Sequence, residues 1–384
     1  MTTPRRARIG SVAKVTSGHP FRSDQWTTDG VPAVKIANVK DGYIDLDTAP
    51  AFVSMEDSQA IGRFLLQQGD IVISMTGDVG RVARIITDSP LVLNQRVGLF
   101  TVDSTKADPL FFFYTLRTTP VRQEIVRTAF GSAQANTSPS LIEQVQIPLP
   151  PLETQRAIAE VLGALDDKIA ANRRVVELGH DLGTTICKSA EAKPRPLINV
   201  ADIVMGTSPR GDQLNELGSG VPFFQGVRDF GSVFPSTRVY TSSPQRMATA
   251  GSILFAVRAP VGQTNLAVGD VCIGRGLAAL HTQEQPATLY FSLKAYPEVW
   301  DIYSGGGTVF SSITGKELQQ TLFPMPDALM TSDVELKLSA LLKRLVAAER
   351  ENQVLASTRD ELLPLLMSGR ITVGAASSRV EEVV

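Results

Sequence analysis

Asp166-Asp167-Lys168 groups two carboxylates and an amine, the residue types of a nuclease metal site. On a helix, though, successive side chains point about 100° apart, so the cluster reads as a solvated helix face. Gly77-Asp78-Val79-Gly80 is too short to cradle a phosphate and no Gly-Lys-Ser/Thr follows, which leaves a turn after a strand. His19, His180 and His281 have no Ser or Cys in a nucleophile context, and Ser74 and Ser208 lack the Gly-x-Ser-x-Gly elbow. Asn136-Thr137-Ser138-Pro139 is a distant echo of the Asn/Asp-Pro-Pro-Tyr/Phe run of amino-methyltransferases. Cys187 and Cys272 lie 85 positions apart with no Cys or His at ligand spacing, so neither a disulfide framework nor a zinc site is indicated. No catalytic, cofactor or metal residue is predicted.

What remains is recognition. Arg outnumbers Lys 26 to 11, a bias that favours bidentate readout of guanine edges and phosphates, although a GC-rich genome alone would also produce it. Arg, Asn and Gln gather in probable loops. In the first half these are Arg22, Lys35, Asn38, Lys40, Asn94, Gln95, Arg96, Gln134 and Asn136. In the second they are Arg210, Gln225, Arg228, Arg258, Gln263, Asn265 and Arg275, with Ser312. All are candidate DNA contacts, each weighed against a plain solvated loop side chain. Gly131-Ser132-Ala133-Gln134 and Gly305-Gly306-Gly307-Thr308 suit close backbone approach to phosphates, so Thr308 joins the candidates.

These loops need a scaffold, and the scaffold is a repeat. Gly131-Ser132 with Ile147-Pro148-Leu149-Pro150 matches Gly307-Thr308 with Phe323-Pro324-Met325-Pro326 at an offset of 176 residues. Gly69-Asp70-Ile71-Val72-Ile73 and Val79-Gly80 match Gly251-Ser252-Ile253-Leu254-Phe255 and Val261-Gly262 at 182, and Gly30-Val31-Pro32 matches Gly220-Val221-Pro222 at 190. The drift is that of loops varying on a kept scaffold. Each half begins with short β-branched runs such as 70–74, 91–93 and 252–257, and ends at a Pro-x-Pro break. Residues 152–190 and 334–367 then carry apolar positions at three and four spacing, with Leu162, Leu165 and Ile169 in phase with Leu338, Leu341 and Leu345. That period predicts two long helices with a coiled-coil seam.

With 384 residues, 43% hydrophobic and 20% charged, the chain is globular and large enough for two domains. Net charge of −2 does not advertise nucleic acid, but its distribution is uneven. Residues 1–150 and 193–326 are each +1, and 151–192 and 327–384 are each −2, which directs an anionic partner to the strand-rich parts. No apolar run approaches the roughly 20 residues of a membrane span. A polar, basic start and two cysteines point to a reducing cytoplasm.

The organisation resembles the DNA-specificity subunits of type I restriction-modification systems. Leu149-Pro150-Pro151-Leu152-Glu153-Thr154-Gln155-Arg156-Ala157-Ile158-Ala159, Leu162 and Leu165-Asp166-Asp167-Lys168-Ile169 resemble that family's central helical region. Arg359-Asp360-Glu361-Leu362-Leu363-Pro364-Leu365-Leu366-Met367-Ser368-Gly369-Arg370-Ile371 is similar to its distal helix and tail. Gly69-Asp70-Ile71-Val72 and Asp108-Pro109-Leu110-Phe111-Phe112 look like pieces of its target-recognition domains. The resemblance implies an α+β, pseudo-two-fold chain: recognition domains at 1–150 and 193–326, and spacer helices at 151–192 and 327–373 running antiparallel. The tail at 374–384, which opens Gly-Ala-Ala-Ser-Ser-Arg, reads from its composition as disordered. It further implies a non-catalytic guide to a bipartite, asymmetric double-stranded DNA target. Two methyltransferase subunits would dock on the helices and bring S-adenosylmethionine for adenine N6 methylation, and restriction-translocase subunits would join them. The second copy departs from the pattern, with Asp327-Ala328-Leu329-Met330 where the first has its Pro-x-x-x-Gln start.

An antiparallel register with Asn172 opposite Asn352 sets Leu162 by Leu362, Ile169 by Leu355, Val176 by Ala348, Gly179 by Leu345, Gly183 by Leu341 and Ile186 by Leu338. The two asparagines are expected to meet as a buried polar pair that fixes this register. Three rival readings stay open: an enzyme acting on nucleic acid by itself, a protein-binding scaffold, and a specificity chain for one combined methyltransferase-nuclease.

Overall fold

The computed structural model describes residues 5–46, 48–130, 135–303, 312–326 and 331–383. The chain divides into two compact units, one formed by Met1–Asp167 with Leu355–Val384 and the other by Lys168–Val354. The division runs through the middle of both long helices, so each unit contains part of each.

In the first unit the short β-branched runs form two small sheets. The strands Ala13–Ser17, Val97–Val102, Ile71–Ser74 and Val82–Arg84 lie in that order, antiparallel throughout. The second sheet orders Trp26–Thr27, Phe52–Val53, Val31–Val34, Leu91–Leu93 and Leu65–Leu66, with Val31–Val34 and Leu91–Leu93 parallel. Ile71–Ser74 and Leu91–Leu93 are buried on both faces, which is why they read as continuous apolar runs rather than as alternation. Arg6–Arg8 pairs with Gln146–Pro148 and brings the start of the unit to the Pro-x-Pro break.

The second unit repeats this order strand for strand. Asp202–Met205, Leu277–His281, Ile253–Ala256 and Thr264–Leu266 form its four-stranded sheet, and Leu214–Asn215, Tyr240–Thr241, Val221–Phe224, Val271–Ile273 and Met247–Ala248 its five-stranded one. Val221–Phe224 and Val271–Ile273 are again the parallel pair. Ala192–Pro196 with Leu322–Pro326 repeats the short ribbon.

Each unit joins its sheets to the long helices through one apolar helix. In the first, Asp108 caps Pro109–Arg117 by accepting the Phe111 N–H at 2.8 Å, and Phe111, Phe112, Phe113, Tyr114 and Leu116 are all buried. In the second, Pro286–Ala295 buries Leu289, Tyr290, Phe291 and Leu293.

The long helices are Leu152–Ser189 and Thr331–Met367, close to the predicted spans. The Gln of the Pro-x-x-x-Gln start has a structural task. Gln155 is 1% exposed, its Nε2 donates to Pro150 O at 2.8 Å and its Oε1 accepts the Asp108 N–H at 2.9 Å. One buried amide thus ties the helix start to the apolar helix. In the second unit, where the motif is absent, Glu335 does this work by accepting the N–H groups of Ala287 at 3.1 Å and Thr288 at 2.8 Å.

The expected asparagine pair does not form. Asn172 Nδ2 donates instead to Glu351 Oε2 at 2.8 Å, and Lys168 reaches Glu351 Oε1 at 3.2 Å. Asn352 is buried with neither polar side-chain atom bonded. The longer Glu351, one residue earlier on the helix, reaches Asn172 first. Gly179 faces Leu345 as the register requires, with a Cβ there falling 2.3 Å from Leu345 Cδ2. At Gly183 the missing side chain makes room for the ring of Phe291, and Leu341 Cδ1 lies 3.4 Å from the Cβ position of Gly179. The tail is not disordered either. Val373–Glu381 is a helix, with Thr372 Oγ1 accepting the Ala375 N–H at 3.3 Å and Ala376 fully buried, a cap and an alanine-bearing first turn that favour helix.

No helix among the described residues is long and apolar enough to cross a membrane.

Candidate nucleic-acid interface

Strand register decides where the loops emerge. In the first unit Ser17 pairs with Gly98 and Ser74 with Val97, so the segments after Ser17 and Ser74 and before Val97 leave the four-stranded sheet at one edge. The parallel pair Val34 and Leu93 ends there too: the Asn94 N–H donates to Val34 O, Gln95 N–H to His19 O and Met75 N–H to Arg96 O, at 2.9 to 3.1 Å. Gly18 permits this closeness, since a Cβ would lie 2.3 Å from Asn94 O. Asn136 joins the edge through the Thr76 hydroxyl, which donates to its Oδ1 at 2.6 Å.

The second unit builds the same edge. Gly206 N–H donates to Leu277 O, Gly274 N–H to Phe224 O and Gly276 N–H to Gln225 O, and a Cβ on Gly206 would lie 2.2 Å from Gly274 O. Arg258 and Ser312 bridge as Thr76 and Asn136 do. Ser208 Oγ donates to Gln225 Oε1 at 2.8 Å and accepts the Arg275 N–H at 3.2 Å, which braces two candidate residues against each other.

Register therefore brings together Arg22, Lys35, Asn94, Gln95, Arg96 and Asn136 in one unit, and Arg210, Gln225, Arg228, Arg258, Gln263, Arg275 and Ser312 in the other. Arg22 and Arg210 occupy matching positions: their backbone N–H groups donate to Gln25 Oε1 at 3.0 Å and Gln213 Oε1 at 3.4 Å, and each head group pairs with an exposed aspartate. Arg96, Arg228, Arg258 and Arg275 are exposed and have no ion-pair partner among the described residues. Exposed cations without counter-ions, grouped at a loop edge with amide side chains, form a surface complementary to a phosphate backbone and base edges.

Four candidates belong elsewhere or cannot be placed. Asn38 is 1% exposed, its Nδ2 donating to Asp45 O and Thr48 O and its Oδ1 accepting the Lys35 N–H. Asn265 is 2% exposed and holds Gly231 through both its N–H and its carbonyl. Both amides are spent on backbone groups inside the fold, so neither can face DNA. Gln134 and Thr308, with the glycine loops that carry them, lie outside the described residues. Lys40 is at hand but committed, its Nζ donating to Ala37 O at 2.8 Å and lying 3.7 Å from Asp45.

Arg81 was not among the candidates, yet it follows Val79-Gly80 as Gln263 follows Val261-Gly262, and the repeat itself marks it. It directly follows the Gly77–Gly80 turn, paired with Asp78. No group of His, Cys, Asp and Glu among the described residues could hold a metal ion. Asp166 is not a solvated helix residue: Tyr114 Oη donates to its Oδ2 and Arg359 Nη1 to its Oδ1, both at 2.6 Å. The two cysteines are free and buried, and burial pushes the Cys187 thiol up to about 11, out of reach of thiolate chemistry.

Comparison with known proteins adds four findings. Residues 6–177 match the type I restriction modification DNA specificity domain. Over 90% of its length the chain is 28% identical to a protein described as the type I restriction enzyme MjaX specificity subunit of Methanocaldococcus jannaschii, covering 88% of that protein. It is 31% identical to the type I restriction enzyme MjaVIII specificity subunit of the same organism over 44% of this chain and 41% of the other. In fold it is similar to a type I restriction-modification system S subunit from M. genitalium, with a TM-score of 0.58 at 16% identity, covering 95% of this chain and 99% of that one.

Proposed function

We propose that the chain is a member of the type I restriction-modification DNA specificity family, whose domain residues 6–177 match, and that its two loop edges each read one half of a bipartite, asymmetric double-stranded DNA target. The chain does no chemistry itself. It directs two methyltransferase subunits, which dock on the long helices and carry S-adenosylmethionine for adenine N6 methylation, and restriction-translocase subunits that join them. The long helices pair as an antiparallel coiled coil between two recognition domains related by a pseudo-two-fold axis, and set the length of the unread spacer. The assembly works in the cytoplasm, where its DNA is.

One observation carries this reading. The same strand order, used twice, delivers exposed Arg and amide side chains to the same loop edge twice, with different residues in each. A duplicated scaffold with divergent loops suits two unlike half-sites. Base contacts worth about 1–3 kcal/mol each supply the discrimination, on top of salt-dependent phosphate attraction. Single-molecule methylome sequencing of a strain carrying this gene with its neighbours tests the reading. A bipartite motif with modified adenines must vanish on deletion; an unchanged methylome despite expression of the whole set would overturn it.

A further inference from the structure

One side chain at the first loop edge departs from its pattern of cations and amides. Phe130 is 58% exposed, and backbone holds it in place: its N–H donates to Asn136 O at 2.8 Å and its carbonyl accepts the Asn136 N–H at 2.9 Å. Asn136 bridges in turn to Thr76, two residues beyond the strand Ile71–Ser74. Thr76, Asn136 and Phe130 therefore stand abreast. Directly paired residues send their side chains to one face, with neighbouring Cβ atoms about 5 Å apart. The Thr76 hydroxyl shows the shared face by donating to Asn136 Oδ1 at 2.6 Å. A scattered exposed apolar side chain needs no explanation, but this one is fixed by two backbone bonds beside a candidate base reader.

The same hydroxyl gives the amide its direction. Thr76 takes Asn136 Oδ1, and among the described residues nothing accepts from Nδ2. The row thus ends in an amide donor beside an apolar ring. Of the base edges in the major groove, thymine alone sets an acceptor, O4, beside a methyl group. Guanine would press a second acceptor, N7, against the ring, and cytosine or adenine would bring an amino donor to the amide donor or to the ring. The bidentate grip of asparagine on adenine needs a free Oδ1. In the second unit Arg258 and Ser312 form the matching bridge, and the offset of 176 makes Gly306 the counterpart of Phe130. The aromatic residue belongs to one edge only.

Taking the loop edges as DNA readers, on which this inference rests, we propose that Phe130 and Asn136 form a thymine reader for one half of the target. The ring packs on the 5-methyl group and Asn136 Nδ2 donates to O4.

The chain in complex with its methyltransferase subunits is titrated with duplexes carrying the motif that methylome sequencing returns. Each thymine in turn is replaced by deoxyuridine, which lacks only the 5-methyl group. One replacement, in one half-site, should weaken wild-type binding about fourfold, the effect of burying one methyl-sized group. In Phe130→Ala, which removes an exposed ring and leaves no core cavity, thymine and uracil at that position should bind equally. Asn136→Asp keeps the acceptor for Thr76 and exchanges the donor for an oxygen. It should turn the preference at that position from thymine to cytosine, whose N4 donates. Three results overturn the proposal while specific binding persists: no effect of deoxyuridine at any thymine, an effect that survives Phe130→Ala, or an Asn136→Asp variant that still prefers thymine. Binding indifferent to the whole motif overturns the reading of the loop edges itself.

Discussion

Arg359 Nη1 lies 2.6 Å from Asp166 Oδ1, bringing a residue of the distal helix to one 193 positions earlier in the chain. The carboxylate also accepts the Tyr114 hydroxyl, so a single side chain joins both long helices to the apolar helix of the first unit. At the aligned place in the second unit Phe291 stands for Tyr114 and packs where Gly183 lacks a side chain, while the neighbouring Tyr290 Oη bonds His180 Nε2 at 3.0 Å.

Removing one partner of the Asp166–Arg359 pair strands the other. Asp166→Asn or Arg359→Met should destabilise by an amount between the ~1 kcal/mol of an exposed pair and the ~3–5 kcal/mol of a fully buried one, since both side chains are only partly covered. Asp166→Asn combined with Arg359→Met should cost less than the two single losses added. Urea midpoints of the three variants decide this, and strict additivity would count against the coupling.

Gln155→Leu should destabilise by about 2 kcal/mol, because it leaves the buried Asp108 N–H and Pro150 carbonyl without partners. Glu335→Gln should be milder, since an amide oxygen still accepts one of the two N–H groups. Hydrogen exchange at Asp108 and Ala287 reads each staple separately: exchange should quicken at Asp108 alone in the first variant.

On DNA, Arg96→Ala and Arg258→Ala should act on opposite halves of the target. Each should weaken binding by about 1–3 kcal/mol if its guanidinium reads a base, and should relax sequence preference in one half only. A phosphate contact gives a different signature, a uniform loss with a shallower salt dependence. Titrations of half-site-substituted duplexes at two salt concentrations separate the cases.

Acid should weaken the second unit through His180. Burial and then the nearby Lys294 hold this imidazole down to about 4 against an ordinary 6.5. The folded form therefore binds fewer protons than the unfolded one between those values. Stability from this group is complete above about 6.5 and is lost as pH falls towards 4. His180→Gln keeps a polar partner for Tyr290 and should flatten the thermal midpoint over that window. Lys294 acts in the same sense at alkaline pH: stability should rise between about 8 and 10.5, as the unfolded chain loses the proton that the folded chain has already given up.

Periodicity and the repeat made the scaffold legible. Leu162, Leu165 and Leu338 are all buried, at the spacing that predicted two helices, and the Gly-Val-Pro and Gly-Asp-Ile matches became the same strands in the two sheets. Side-chain destinations were less legible. Asn38 and Asn265 are residue types that read bases, but backbone groups consume both: Lys35, Asp45 and Thr48 in the loop around Asn38, and Gly231, 34 residues earlier, for Asn265. Asn172 chose Glu351 over Asn352 because side-chain reach, not heptad position, decided the bond. The helix at Val373–Glu381 was hidden by a Gly-Ala-Ala-Ser-Ser run whose cap, Thr372, lies just before it.

The first unit is closed by Leu355–Val384, whereas the second is complete at Val354. During synthesis the second unit can therefore finish before the first, even though the first leaves the ribosome earlier. Until the distal helix arrives, Asp166 lacks its Arg359 cation. A nascent chain therefore carries that carboxylate unpaired through the synthesis of the whole second unit, and the first unit reaches its final form only afterwards.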